Sequence, residues 1–336
     1  FYSRWHIALN RKKQLIERMM YQVSVKKISN IMKKILAAFF CLMLCANGCK
    51  SPVEDTNPQQ DNQEVASTFT DRQSLGEIQI RDLDEASGLA NSRSNPLYIW
   101  SHNDSGGDPL FYLMTQSGAE SGRFVLSGAQ NIDWEDMAIG SGPVAGQSYL
   151  YAADIGDNRA VRDNYTIYRV AEPDLTVSNI PASTTLSGVD AINFIYDDRN
   201  SRDAEAIMVD PASSDIYIIS KREESVILYV LPFPQNLTEL DTADRLRVLP
   251  FTMVTAADIS PNGNEVLIKN YLNVYHWSKT GTESISELLG TKASRLLYTV
   301  EPQGESITFD SNGSTYFTLS ESGNNEPVVL YNYSRN

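Results

Sequence analysis

Five acidic side chains head short strand-like runs, and their spacing is the first chemical signal in this chain. They are Glu85 in Glu-Ala-Ser-Gly-Leu, Glu135 in Glu-Asp-Met-Ala-Ile, Glu205 in Glu-Ala-Ile-Met-Val, Asp258 in Asp-Ile-Ser-Pro-Asn-Gly and Glu305 in Glu-Ser-Ile-Thr-Phe, separated by 50, 70, 53 and 47 residues. Carboxylates brought together by such a repeat repel one another and raise each other's pKa unless a cation neutralises them. Oxygen-only donors select a hard cation, and Ca2+ tolerates irregular multi-ligand geometry better than Mg2+ does. The expectation is a Ca2+ ion held by Glu85, Glu135, Glu205, Asp258 and Glu305. The alternative is that these acids cap backbone amides or pair with Arg and Lys.

A second polar group follows the strand-like runs: His102-Asn103-Asp104-Ser-Gly-Gly, Asp133-Trp-Glu-Asp, Asp154-Ile-Gly-Asp157-Asn158 with Arg162, and Lys221-Arg222-Glu223. His102 is the candidate general base near neutral pH, with Asp104 and Asp133 as acidic partners. Asn103, Asp154, Asp157, Asn158, Arg162, Lys221 and Arg222 are candidate substrate-binding groups. Gly, Asn and Asp also serve tight turns, so turn chemistry is the competing explanation. His276, between Tyr275 and Trp277, reads as packing. The chain has no G-x-S-x-G, H-E-x-x-H, P-loop or dinucleotide-binding pattern.

The elements that must position these groups form a repeat. Each acid-led run is followed by a second strand: Leu97-Tyr-Ile-Trp-Ser-His, Tyr149-Leu-Tyr-Ala-Ala-Asp, Ile216-Tyr-Ile-Ile-Ser-Lys, Val266-Leu-Ile-Lys-Asn and Thr315-Tyr-Phe-Thr-Leu-Ser. Third strands are expected at 111–115, 165–170, 226–231, 274–277 and 328–333, and fourth strands at 122–126, 192–196, 246–251 and 295–300. Four strands at a period near 50 residues predict an all-β chain folded as a β-propeller with four-stranded antiparallel blades. The last copy lacks a fourth strand, and 76–81 supplies an N-terminal strand to close the ring. Five blades fit best, with six as the alternative. A β-sandwich also uses short strands, but it does not call for an acid at the head of every copy. In a propeller the first strand of each blade lines the central channel, which would bring the acids together.

The set His102-Asn-Asp-Ser-Gly-Gly, Asp133-Trp-Glu-Asp, Asp154-Ile-Gly-Asp-Asn and Tyr168-Arg-Val-Ala-Glu-Pro173 resembles a group of secreted bacterial β-propeller proteins of unassigned activity, over roughly the first two blades. The acid-led strands are similar, more loosely, to calcium-dependent propellers: nucleotidases of the apyrase type, which are five-bladed with a channel Ca2+, and esterase and lactonase propellers. These likenesses imply architecture, and fold does not carry function with it.

Composition and the N-terminal stretch bound the rest. With 336 residues, 42% of them hydrophobic and 21% charged, the composition is globular. A net charge of -14 argues against nucleic acid as a default partner, since cationic groups must replace phosphate counterions. No apolar run reaches the roughly 18 residues of a spanning helix. Residues 1–31 are basic and patternless, and read as translated upstream sequence. Residues 32–49 read as a lipoprotein signal peptide: Lys33 and Lys34 precede an apolar segment from Ile35 to Ala46, and Gly48-Cys49 ends it, making Cys49 the expected lipidation site. All three cysteines, Cys41, Cys45 and Cys49, lie in this leader, so no disulfide or cysteine nucleophile is expected in the body. Removing residues 1–49 leaves 19 Lys and Arg against 41 Asp and Glu, a charge of -22. Residues 50–70 read as a flexible linker to a domain at 71–336. The expected place is the bacterial cell envelope: a monomeric outer-membrane lipoprotein, periplasmic or surface-exposed. Two functions follow from this picture. One is a binding module for a small molecule, glycan or envelope protein, with a central calcium site. The other is a calcium-dependent hydrolase of phosphate esters, nucleotides or lactones.

Overall fold

Short runs of Ile, Val, Tyr and Phe broken by Gly, Asn, Asp and Ser favour strands joined by tight turns, and strands are nearly all of the regular secondary structure in the computed structural model. It describes residues 65–66, 68–176, 180–322 and 327–336. The expected upstream segment, the leader with Cys49 and the linker as far as residue 64 lie outside the described residues. No helix among the described residues is long and apolar enough to cross a membrane.

The chain enters through β1 (Val65–Ala66) and β2 (Gln73–Glu77). A first antiparallel run contains β3 (Ala86–Asn91), β4 (Tyr98–Asn103), β5 (Leu110–Thr115) and β6 (Glu120–Leu126). It is followed by β7 (Trp134–Gly140), β8 (Tyr149–Asp154) and β9 (Tyr165–Ala171). The chain then reaches back to lay β10 (Ser183–Leu186) parallel against β6, and returns as β11 (Asp190–Tyr196) on the outer edge of β9. This detour accounts for the long 70-residue spacing between Glu135 and Glu205.

Next come β12 (Ala204–Val209), β13 (Ile216–Ser220), β14 (Ile227–Leu231) and β15 (Asp241–Val248). Then follow β16 (Val254–Ile259), β17 (Glu265–Asn270), β18 (Val274–Ser278), the short helix α1 (Ile285–Leu288) and β19 (Ser294–Leu296). The last strands are β20 (Gly304–Phe309), β21 (Thr315–Ser320) and β22 (Val329–Ser334). The fourth strand expected at 246–251 is displaced to 241–248, and that expected at 295–300 shrinks to three residues.

Hydrogen bonding divides the described strands into four sheets. One has eight strands, because β11 and β15, the outer strands of two successive runs, pair in parallel. The sheet β2-β22-β21-β20 joins the N-terminal strand to the C-terminal one, as expected, although the strand sits at 73–77 and not 76–81. This pairing removes an open edge from β22. Gly76 allows it: its φ is +142°, and a Cβ there would lie 2.9 Å from the Ser117 carbonyl oxygen.

The innermost strands pack in a closed circuit, β3 on β7, β7 on β12, β12 on β16, β16 on β20 and β20 on β3. This radial arrangement is a β-propeller. Inner strands are buried along almost their whole length and rich in Ala, Gly, Ser and Thr, which suits the crowded axis. Outer strands such as β6 and β11 alternate buried and more exposed residues, because only one face is covered. Five apolar clusters fill the spaces between successive runs, with Trp100, Trp134, Tyr165, Tyr229 and Phe309 among their largest buried side chains.

Residues 68–70, expected at the end of the linker, belong to the folded body. Phe69 is 2% exposed, packs edge-on against Tyr316 and lies under the Arg335 guanidinium, while Val65 and Ala66 pair with β19.

Candidate functional site

Every inner strand carries a register shift near its start, and these bulges decide which side chains are equivalent. The extra residue is Ser87 in β3, Glu135 in β7, Glu205 in β12, Thr255 in β16 and Glu305 in β20. A bulge re-aims a side chain without breaking the ladder around it. Glu135, Glu205 and Glu305 therefore share one level of the channel. Glu85 and Asp258 do not: Glu85 precedes β3 and is exposed, and Asp258 lies three residues beyond Thr255. Asp258 accepts hydrogen bonds from the Phe309 amide (2.7 Å), the Ile259 amide (2.8 Å) and Thr308 Oγ1 (3.1 Å), so it braces one inner strand against the next. The five-acid ring is thus corrected to three acids, a serine and a threonine.

The acids gather around Glu135 at this mouth of the channel. One oxygen each from Asp104, Asp133 and Glu135 lies within 4.8 Å of the others, and the same holds for Glu135, Asp203 and Glu205. Glu135 belongs to both groups. It is 3% exposed, and no hydrogen bond to its carboxylate is found among the described residues. Burial, then the charges of Glu205, Asp104 and Asp133, push its pKa well above the ordinary carboxylate range. Burial and neighbouring acids likewise raise Asp104 to about 7, and Asp104 Oδ1 is buried with no hydrogen-bond partner among the described residues. Asp133 is raised chiefly by burial. Gly156 completes the cradle: a Cβ there would stand 2.0 Å from Glu135 Oε1 and 2.5 Å from Asp133 Oδ2.

The flanks of this cluster are partly neutralised. Lys221 Nζ meets Glu205 Oε1 at 2.5 Å, yet burial still lifts the Glu205 pKa to about 7. Arg222 pairs with Asp203 and also donates to the Asn158 side chain. Tyr271 donates to Glu305 Oε1 at 2.5 Å, and Glu321, beside Glu305, is raised to about 8 by burial and that neighbour. Lys221 and Arg222 are therefore engaged by Glu205 and Asp203. Arg162 and Lys221 offset part of the charge of Asp133 and Glu135, but no ion pair to the carboxylate of Asp104, Asp133 or Glu135 is found among the described residues. Oxygen donors of this kind, desolvated and mutually repelling, fit a hard divalent cation.

The remaining expected residues brace this mouth. Asp154 accepts from the Ile132 and Asp133 amides and from Arg162 Nη1 (2.7 Å), fixing the start of β7. Asp157 accepts from the Val161 and Arg162 amides and from Tyr165, and its own amide donates to Asp203 Oδ1 at 2.8 Å. Asn103 accepts from the Glu85 amide and donates to the Asp82 carbonyl. His102 is fully buried, donates through Nδ1 to the Asn103 carbonyl and sits edge-on to Trp134. Burial lowers its pKa to about 4, which leaves a neutral imidazole walled off from solvent.

Sequence reasoning missed Asp203, Tyr271 and Glu321, and it quoted Gly156 and Asp136 within their motifs without giving either a role. The signal for Asp203 is the repeated Asp-x-Glu of Asp133-Trp-Glu135 and Asp203-Ala-Glu205. Asp136 is fully buried across the channel: its carboxylate accepts from the Met137, Ile207 and Ala257 amides, at 2.8, 3.0 and 3.4 Å, and so links three inner strands.

Neither a protein-family model nor a curated protein matches the sequence. Among solved structures, the chain is similar to the Pan2 WD40 domain of Neurospora crassa at 10% identity and a TM-score of 0.40, covering 81% of this chain and 97% of that one.

Proposed function

We propose that this protein is a five-bladed propeller acting as a binding module of the bacterial cell envelope, with a Ca2+ ion at one mouth of its channel. Five inner strands and five apolar clusters support that blade count over six. The observation that carries the cation is Glu135, a buried carboxylate shared by two acidic groups and with no hydrogen-bond donor among the described residues. Asp104, Asp133 and Glu135 would hold the ion, with Asp203 and Glu205 behind them. Bound there, it supplies positive charge that an oxygen-rich ligand can share. Cys49 after the apolar leader supports a lipid tether, and the resemblance of the His102 and Asp154 motifs to secreted propellers agrees with an extracytoplasmic place.

The hydrolase alternative has weaker support, because its candidate base His102 is shut beneath Trp134. Titration calorimetry with CaCl2 on the chelator-treated protein tests the proposal. Stoichiometric binding that Glu135→Gln removes, with the variant still folded by circular dichroism, is expected. Equal heats in wild type and variant would sink it.

A further inference from the structure

The two ends of the channel differ in chemistry. Six residues beyond the bulge positions stand Arg93, Ser141, Pro211, Pro261 and Ser311, where the inner strands exit away from the acidic mouth. Four of these, Arg93, Ser141, Pro211 and Pro261, line a cavity of about 350 Å3. Ile139, Val209 and Ile259 also line it, along with the loop residues Gln147 and Ser148. The volume falls at the lower end of the range typical of small-molecule sites, which are mostly apolar with a few fixed polar groups.

Arg93 is the charged group of this lining, and the protein leaves most of its guanidinium unused. Its Nη1 donates to the Asp310 carbonyl at 3.3 Å, and no carboxylate of the described residues comes within ion-pair reach. The nearby acids are committed elsewhere. Asp258 accepts from the Phe309 and Ile259 amides and from Thr308. Glu172 accepts from Ser92 Oγ (2.6 Å), Trp100 Nε1 (3.2 Å) and the Arg93 and Ser94 amides. Burial lowers the Arg93 pKa, an effect the charges of Asp258, Glu172 and Asp310 offset only in part. A desolvated guanidinium is stable when a planar anion takes its fork of donors. A dianion such as phosphate would meet more repulsion from Asp258, Glu172 and Asp310 than a single carboxylate does.

We propose that this cavity binds a small monocarboxylate, with its carboxylate on the Arg93 guanidinium and its apolar body against Ile139, Val209 and Ile259. The site is separate from the acidic mouth and stands whether or not that mouth holds calcium.

The test is ligand-observed fluorine NMR of 4-fluorobenzoate with the full chain. Saturable binding is expected, weakened about tenfold or more by Arg93→Gln, because a charge-assisted bidentate contact is lost. Ser148→Phe, which removes no side-chain hydrogen bond found among the described residues and fills the cavity, is expected to abolish it. Melting curves verify the fold of each variant, and Ser148→Phe decides the matter if Arg93→Gln does not fold. Absence of saturable binding, or binding unaltered by either cavity variant, overturns the proposal. Displacement of the probe by a lower concentration of inorganic phosphate overturns the monocarboxylate assignment.

Discussion

At the scale of single residues, the acidic mouth depends on backbone that lets carboxylates approach one another. Gly156 lies against Glu135 and Asp133 so closely that a methyl group would have to displace both carboxylate ends. Gly156→Ala is therefore expected to weaken calcium binding about tenfold or more while changing stability little, since the side-chain ends can swing away into the channel. Calorimetry paired with melting curves checks this, and undiminished affinity would mean that the cradle does not shape the site. Glu135, Glu205 and Glu305 were legible in the sequence because each heads a small-and-apolar run. Glu85 and Asp258 fit the same pattern but miss the ring, because the bulge inserts one residue and fixes a register that hydrophobic periodicity does not report. His102 was a reasonable candidate by residue type. Its burial against Trp134 comes from tertiary packing of β4 on β7, which no local pattern encodes.

At the scale of elements, the repeat showed four strands per copy, and most third strands lie within a residue or two of their expected bounds. What it hid were the strands whose pairing is non-local. β10 pairs with β6 across the detour before β11, and β1 pairs with β19, both in parallel. Such ladders depend on distant partners, so a short polar stretch such as Ser183–Leu186 carries little signal of its own. The same holds for Phe69, which sits in a stretch of linker-like composition yet is packed against Tyr316, His276 and Arg335. Phe69→Ala is expected to destabilise the propeller by about 3 to 5 kcal/mol, the usual loss for a buried phenylalanine. Urea denaturation measures this. A change below about 1 kcal/mol would show that the N-terminal segment merely rests on the surface, as an exposed side chain does.

At the scale of the whole molecule, the charge of -14 is not spread evenly, because several carboxylates are concentrated where water is scarce. Their folded pKa values are raised: Asp104 and Glu205 to about 7, Glu321 to about 8, and Glu135 well above its ordinary value. An unfolded chain titrates the same groups near 4, so without a metal the folded state binds more protons from about pH 4 to 8. The stability these groups contribute is fully present below the unfolded pKa and is lost as pH rises through the folded values. His102 opposes this at lower pH, since its pKa drops to about 4 from an ordinary value of 6.5. Above about pH 6.5 that opposition fades, and Lys269, lowered by burial to about 8, opposes the carboxylates only near the top of the interval, where the four raised acids outnumber it. In chelator, the melting temperature is therefore expected to fall as pH is raised from about 6.5 to about 8. Calcium should reverse the slope, because deprotonated carboxylates are the form that binds it and each proton lost raises its affinity. Scanning calorimetry over this interval, with and without Ca2+, compares the two slopes directly. A melting temperature that rises with pH in chelator would mean that the cluster does not hold protons. Equal slopes in both conditions would mean that the ion does not bind there.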